Sequence, residues 1–151
     1  MGGVVDVARR TGRDRDPVVR QKVATVHSLQ QVNQWTAARA LAARLQGRPP
    51  GPEGSLAKLA ASNLARAAAE AHALAAGSGA LLTGPESMFD GVVAEVLVSV
   101  PAVSIAGGTD EIQRNIIGER VLGLPREPAV DRDTPFREVA RNTNSGSKAG
   151  L

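Results

Sequence analysis

A chain of 151 residues is sized for one domain around one core. With no cysteine it holds no disulfide, thiolate metal site or thiol nucleophile, and a net charge of +3 is too small to argue for nucleic acid. The aromatic residues are Trp35, Phe89 and Phe136 in a chain rich in alanine and leucine, which suits closely packed helices better than sheets.

In chain order, residues 1–15 read as a partly ordered N-terminal segment. Asp16-Pro17 is a helix start: Asp16 can accept from free backbone N–H groups, and Pro17 occupies the first helical position, where its missing donor costs nothing. Val19, Val23, Val26, Leu29, Val32, Trp35, Ala38, Leu41 and Leu45 then recur every three or four residues up to Gln46-Gly47. That spacing predicts a helix of about 30 residues, roughly 45 Å long. Arg48-Pro49-Pro50-Gly51-Pro52 ends it, because prolines remove donors and exclude helical geometry before them. A second helix is predicted from Ser55 to Ala76, ended by Gly77-Ser78-Gly79. Pro85 to Val100 is read as a third helix from its context, although Val92, Val93, Val96, Val98 and Val100 would also suit a buried strand. The fourth follows Gly107-Gly108-Thr109-Asp110, carries Ile112, Ile116, Ile117, Val121 and Leu122, and stops at Gly123-Leu124-Pro125. Thr109 or Asp110 can cap it, and Gln113 stands at capping-box spacing from Asp110. Residues 127–151 read as a polar tail, disordered from Asn142.

The apolar stretches around Ala67–Ala76 and Val92–Val103 are interrupted by Glu70, His72 and Glu95 and are too short to span a bilayer. Met1-Gly2-Gly3 runs into Asp6, Arg9 and Arg10 rather than a secretory apolar segment, so a cytoplasmic location is expected. His27 and His72 fall on different predicted helices and read as packing or surface residues rather than a metal pair. Gly77-Ser78-Gly79 and Gly107-Gly108 lack the lysine or preceding strand of a phosphate loop and read as helix punctuation.

The run Ile105-Ala106-Gly107-Gly108-Thr109-Asp110-Glu111-Ile112-Gln113-Arg114-Asn115-Ile116-Ile117-Gly118-Glu119-Arg120-Val121-Leu122-Gly123-Leu124-Pro125-Arg126 resembles the last helix of acyl-CoA dehydrogenases and the turn leading into it. Arg13 with Asp16-Pro17-Val18-Val19-Arg20-Gln21 is similar to the opening of the first long helix of their C-terminal domain. Arg48-Pro49-Pro50-Gly51-Pro52-Glu53-Gly54-Ser55 resembles a loop of actinobacterial-type members. The resemblance implies an all-α fold, a four-helix bundle of the acyl-CoA dehydrogenase C-terminal domain type over residues 16–126. It implies an enzyme of three parts, of which the helical N-terminal and β middle domains are not represented here. Such enzymes oxidise the Cα–Cβ bond of fatty or steroid-derived acyl-CoA thioesters with FAD and assemble as tetramers through the C-terminal domain.

Residue by residue, the family turn falls on Gly108, on the substrate side, and on Thr109, with Asp110 and Glu111 following on the cofactor side. A helix start offers unpaired N–H groups to a phosphate or a polar cofactor edge, and glycine lets that ligand approach; the competing reading is that Gly108 and Thr109 simply turn and cap the helix. The family arginine that reaches a neighbouring subunit's FAD pyrophosphate lies eleven residues before a glutamine, which selects Arg10 and Gln21; Arg9 and Arg13 flank it, and the proline is one place out of register. The chain departs from the family in two places. The base of one subgroup is a glutamate where this chain has Gly107, and that of another subgroup falls upstream of Met1, so no catalytic residue is assigned and an isolated chain is expected to be inactive. The glutamine and paired glycines that meet FAD between the second and third helices have no counterpart in Gly77-Ser78-Gly79-Ala80 or Leu82-Thr83-Gly84.

The alternative is a non-enzymatic helical interaction module whose basic N-terminal arm, Arg9, Arg10, Arg13, Arg15, Arg20 and Lys22, binds an acidic partner or nucleic acid. Asp6, Asp14 and Asp16 dilute that charge, and no aromatic residue for base stacking lies among them.

Overall fold

The computed structural model describes residues 3–49, 51–85, 87–126 and 134–139. These form five α-helices: α1 (Val4–Arg10), α2 (Pro17–Leu45), α3 (Glu53–Ala76), α4 (Val92–Ser99) and α5 (Asp110–Arg120). No strand occurs among the described residues, so the valine-rich segment is helical. The tail read for 127–151 lies outside the described residues except for a 3₁₀ turn at Phe136–Glu138.

α2 starts where the sequence predicts, with Asp16 Oδ1 accepting from Val18 N at 2.8 Å and Val19 N at 3.4 Å. α3 runs back alongside it and is the central element, contacting α1, α2, α4 and α5. The segment before Asp16 carries a helix that the sequence reading did not single out: α1 places Val4, Val7 and Ala8 in the core with Val19, Ala71, Ala75, Ala76, Ala80 and Val93. Thr11 ties α1 to α3, its hydroxyl donating to Ala75 O at 2.7 Å. Arg13 Nη1 donates to Leu74 O at 2.9 Å and so satisfies a carbonyl in the last turn of α3.

The third predicted helix begins later than Pro85. Met88–Gly91 is a tight turn in which Phe89 (φ 57°, ψ 39°), Asp90 (φ 55°, ψ 29°) and Gly91 (φ 82°, ψ 6°) are all left-handed, and α4 starts only at Val92. Hydrophobic spacing carries no signal of such a turn.

Along α2 the apolar stripe divides. Val19 is buried and Val23 and Val26 pack against the core, but Val32, Trp35, Leu41 and Leu45 are exposed. In that half the partly buried positions are Asn33, Thr36, Ala40 and Ala43, and the short side chains of Thr36, Ala40 and Ala43 line a groove of about 880 Å³ against Leu56, Ala60 and Val121.

Candidate functional site

The predicted site residues fall in two places. Thr11 packs at Ala75 and Asp110 at Lys58, so α1 and the start of α5 are set some 17 residues apart along α3, about 25 Å at 1.5 Å per residue. Arg10 belongs to one end of the bundle and Gly108, Thr109, Asp110 and Glu111 to the other. Gln21 is exposed on α2, next to Lys22, which pairs with Glu70 at 2.6 Å.

At the α5 end, Gly107 (φ 67°) and Gly108 (φ 92°) make a left-handed turn. A Cβ on Gly107 would meet open space, whereas one on Gly108 would come within 2.8 Å of Gln113 Nε2. Gln113 is buried and donates from Nε2 to Gly107 O at 3.2 Å, fixing the turn from below. This replaces the capping-box role suggested by its spacing. Thr109 is the N-cap and accepts from Ile112 N at 3.3 Å.

Asp110 turns inward. Its side chain is 3% exposed, with Oδ1 accepting from Lys58 Nζ at 2.8 Å and Oδ2 3.2 Å from an Arg66 guanidinium nitrogen. The Lys58 hydrogen bond is the main reason its carboxyl is lowered from 3.8 to about 2; burial opposes this, and the Ser62 and Ser104 hydroxyls reinforce it. A bound ligand could therefore meet only the backbone of Asp110. Glu111 points outward, and its pKa is lowered by its own backbone N–H and by the Thr109 hydroxyl. These two donors already face a carboxylate, so this helix start suits a polar uncharged edge better than a phosphate.

At the α1 end, the Arg10 guanidinium lies over the Phe89 ring, 4.6 Å from its centroid. Neighbouring basic residues are engaged internally: Arg13 with Leu74 O, Arg20 with Asp14 O at 3.5 Å, and Lys22 with Glu70. Three of the six basic residues of the segment, Arg13, Arg20 and Lys22, are thus engaged within the bundle. His72 Nδ1 lies 2.7 Å from Ala68 O, and no group of metal-holding side chains occurs among the described residues. Glu119 pairs with Arg126 at 2.9 Å. No described helix is long and apolar enough to cross a membrane.

This arrangement, an alanine-rich helical hairpin with short helices packed at both ends and a glycine turn opening the last, is of the acyl-CoA dehydrogenase C-terminal type. Residues 4–122 match the family model for the acyl-CoA dehydrogenase C-terminal domain, and the chain belongs to that family. It is 33% identical over 133 residues to the acyl-CoA dehydrogenase IpdE1 of Mycobacterium tuberculosis, covering 84% of this chain and 32% of that protein. It is 38% identical over 128 residues to the IpdE1 of Mycolicibacterium smegmatis, covering 82% and 30%. Among solved structures, a chain of the ChsE4-ChsE5 complex from Mycobacterium tuberculosis superposes with a TM-score of 0.66 at 27% identity, over 82% of this chain and 36% of that one. The chain spans about a third of the length of the relatives it matches.

Proposed function

We propose that these residues serve as the C-terminal-domain component of a flavin-dependent acyl-CoA dehydrogenase, contributing FAD contacts and an oligomer surface while the catalytic base is supplied elsewhere in the enzyme. The observation that carries the reading is the Gly107-Gly108 turn at the start of α5, open at Gly107 and held by Gln113 and the Lys58–Asp110–Arg66 cluster. FAD supplies the hydride acceptor for α,β-dehydrogenation when it is bound. The residues present fit two separate contacts with such a group. Thr109 and the N–H of Asp110 suit a polar edge, with Gly108 beside the acyl thioester and Glu111 following; Arg10, held over Phe89, suits a pyrophosphate, and Gln21 is exposed on α2 as a separate candidate contact.

Gly107 cannot accept a proton, and Glu119 is committed to Arg126. The exposed Val32, Trp35, Leu41 and Leu45 along one helix favour burial against another subunit, and the likeness to a chain of the ChsE4-ChsE5 complex supports an oligomer.

The test is flavin retention after gel filtration of the assembled protein loaded with FAD. Arg10→Gln and Thr109→Val should each lower the flavin-to-protein ratio, and Arg137→Gln, on the exposed turn near the C-terminus, should leave it unchanged. Equal retention in all four proteins contradicts the assignment.

A further inference from the structure

Of the three arginines near the end of α1, one is held in a way the others are not. Arg13 is spent on Leu74 O, and Arg9 lines the α2 side of α1 with Val19, Val23 and His27. Arg10 lies on Phe89 and, among the described residues, makes no ion pair or side-chain hydrogen bond. Asp6, one turn earlier and the natural helical partner for Arg10, instead accepts from Gly3 N at 3.1 Å. A guanidinium stacked on a ring is held by its face, so its in-plane N–H groups stay available for bidentate binding of an anion.

The ring is brought there by unusual backbone. Phe89 and Asp90 are the described non-glycine residues with positive φ, and they are consecutive. L-residues disfavour this region, and two in succession persist only where their surroundings over-determine them. Here Asp90 N donates to Ser87 O at 3.3 Å, Ser87 N to Gly84 O at 3.0 Å, and Gly91 lies so close to Thr83 that a Cβ would fall 2.9 Å from its Cα. The turn seats Phe89 against the core and beneath Arg10.

We infer that Phe89 is a positioning residue for anion recognition: the left-handed turn Phe89-Asp90-Gly91 holds the ring as a platform that presents the Arg10 guanidinium to the pyrophosphate of FAD. This deepens the proposed function and rests on its assignment of Arg10. The ring does not touch the cofactor. It reduces the freedom Arg10 loses when it binds.

The experiment is a titration of the full-chain assembly with FAD, followed by flavin fluorescence, for wild type, Phe89→Met, Phe89→Tyr, Arg10→Gln, Arg9→Gln and the Phe89→Met/Arg10→Gln double variant. Methionine keeps the apolar volume without the ring, and circular dichroism establishes that each variant is folded. Phe89→Met should weaken FAD binding about two- to five-fold, the range of an exposed cation–π contact. Phe89→Tyr, which retains a ring face, should bind like wild type, as should Arg9→Gln. Arg10→Gln should weaken binding further, and adding Phe89→Met to it should change nothing, since a platform has no effect once its guanidinium is gone. Effects that add in the double variant, or a Phe89→Met affinity equal to wild type beside a weakened Arg10→Gln, overturn the role of Phe89 alone. Absence of FAD binding by the wild type, or an Arg10→Gln affinity equal to it, overturns the assignment of Arg10 and the inference with it.

Discussion

Replacing Gly91 with alanine tests whether the left-handed turn before α4 is held as tightly as its contacts imply. Gly91 has φ 82°, where an L-residue is disfavoured by about 1–2 kcal/mol. The new Cβ would also stand 2.9 Å from Thr83 Cα and 3.4 Å from Gly84 N and Leu82 O. All three are backbone atoms, so no rotamer change relieves the overlap, and forced repacking of this kind costs about 1–3 kcal/mol. The sum is a loss of roughly 2–5 kcal/mol. Gly107→Ala is the matched control: φ is 67°, but nothing lies within 4 Å of its Cβ, so only the conformational part applies. Both variants gain the same small benefit from a stiffer unfolded chain, which cancels in the comparison. In urea unfolding, at a mid-range slope of about 2 kcal/mol per molar, Gly91→Ala should shift the midpoint down by roughly 1–2.5 M and at least about one and a half times as far as Gly107→Ala. Equal shifts for the two variants would refute the packing argument.

Other outcomes follow from the same geometry. Asp16→Ala removes the side-chain acceptor for Val18 N and Val19 N and should destabilise the fold by about 1 kcal/mol, read by thermal melting. Asp110 has a folded pKa depressed from 3.8 to about 2, so its stabilising contribution is complete above 3.8 and is lost as pH falls through about 2. Melting temperature measured from pH 5 to pH 2 should therefore fall less steeply in Asp110→Asn than in wild type, starting from a lower value; parallel profiles would contradict the ion-pair assignment. Trp35→Asp and Leu45→Asp place charge on exposed positions of α2 and should shift analytical ultracentrifugation toward smaller species while leaving helicity by circular dichroism unchanged.

The parts of this fold legible in the sequence were those set by local chemistry. Asp16-Pro17 and Arg48-Pro49 bracket α2 because a cap and a proline act within a few residues, and Thr109 caps α5 as its position suggested. α1 escaped notice because seven residues with Val4, Val7 and Ala8 inward make too short a pattern to read; their burial depends on Ala71 and Ala75, far along the chain. The late start of α4 depends on backbone contacts between Gly91 and Thr83 that no periodicity reports. The same limit applies to the site. Asp110 could be placed at the helix start, but its inward turn is set by Lys58, 52 residues earlier. Periodicity marked the apolar stripe of α2 correctly as apolar but not which surface it serves, since the small residues Ala40 and Ala43 face the bundle while Trp35 and Leu45 do not. Phe89 had no motif to announce it and is visible only through its ring beneath Arg10.

The most direct test of the central claim is native mass spectrometry of the purified chain with and without added FAD, which reads assembly and bound flavin together. The proposed function predicts a dimer or larger assembly whose mass rises by whole FAD molecules and whose flavin is lost in Arg10→Gln. A monomer whose mass does not change with FAD would contradict it.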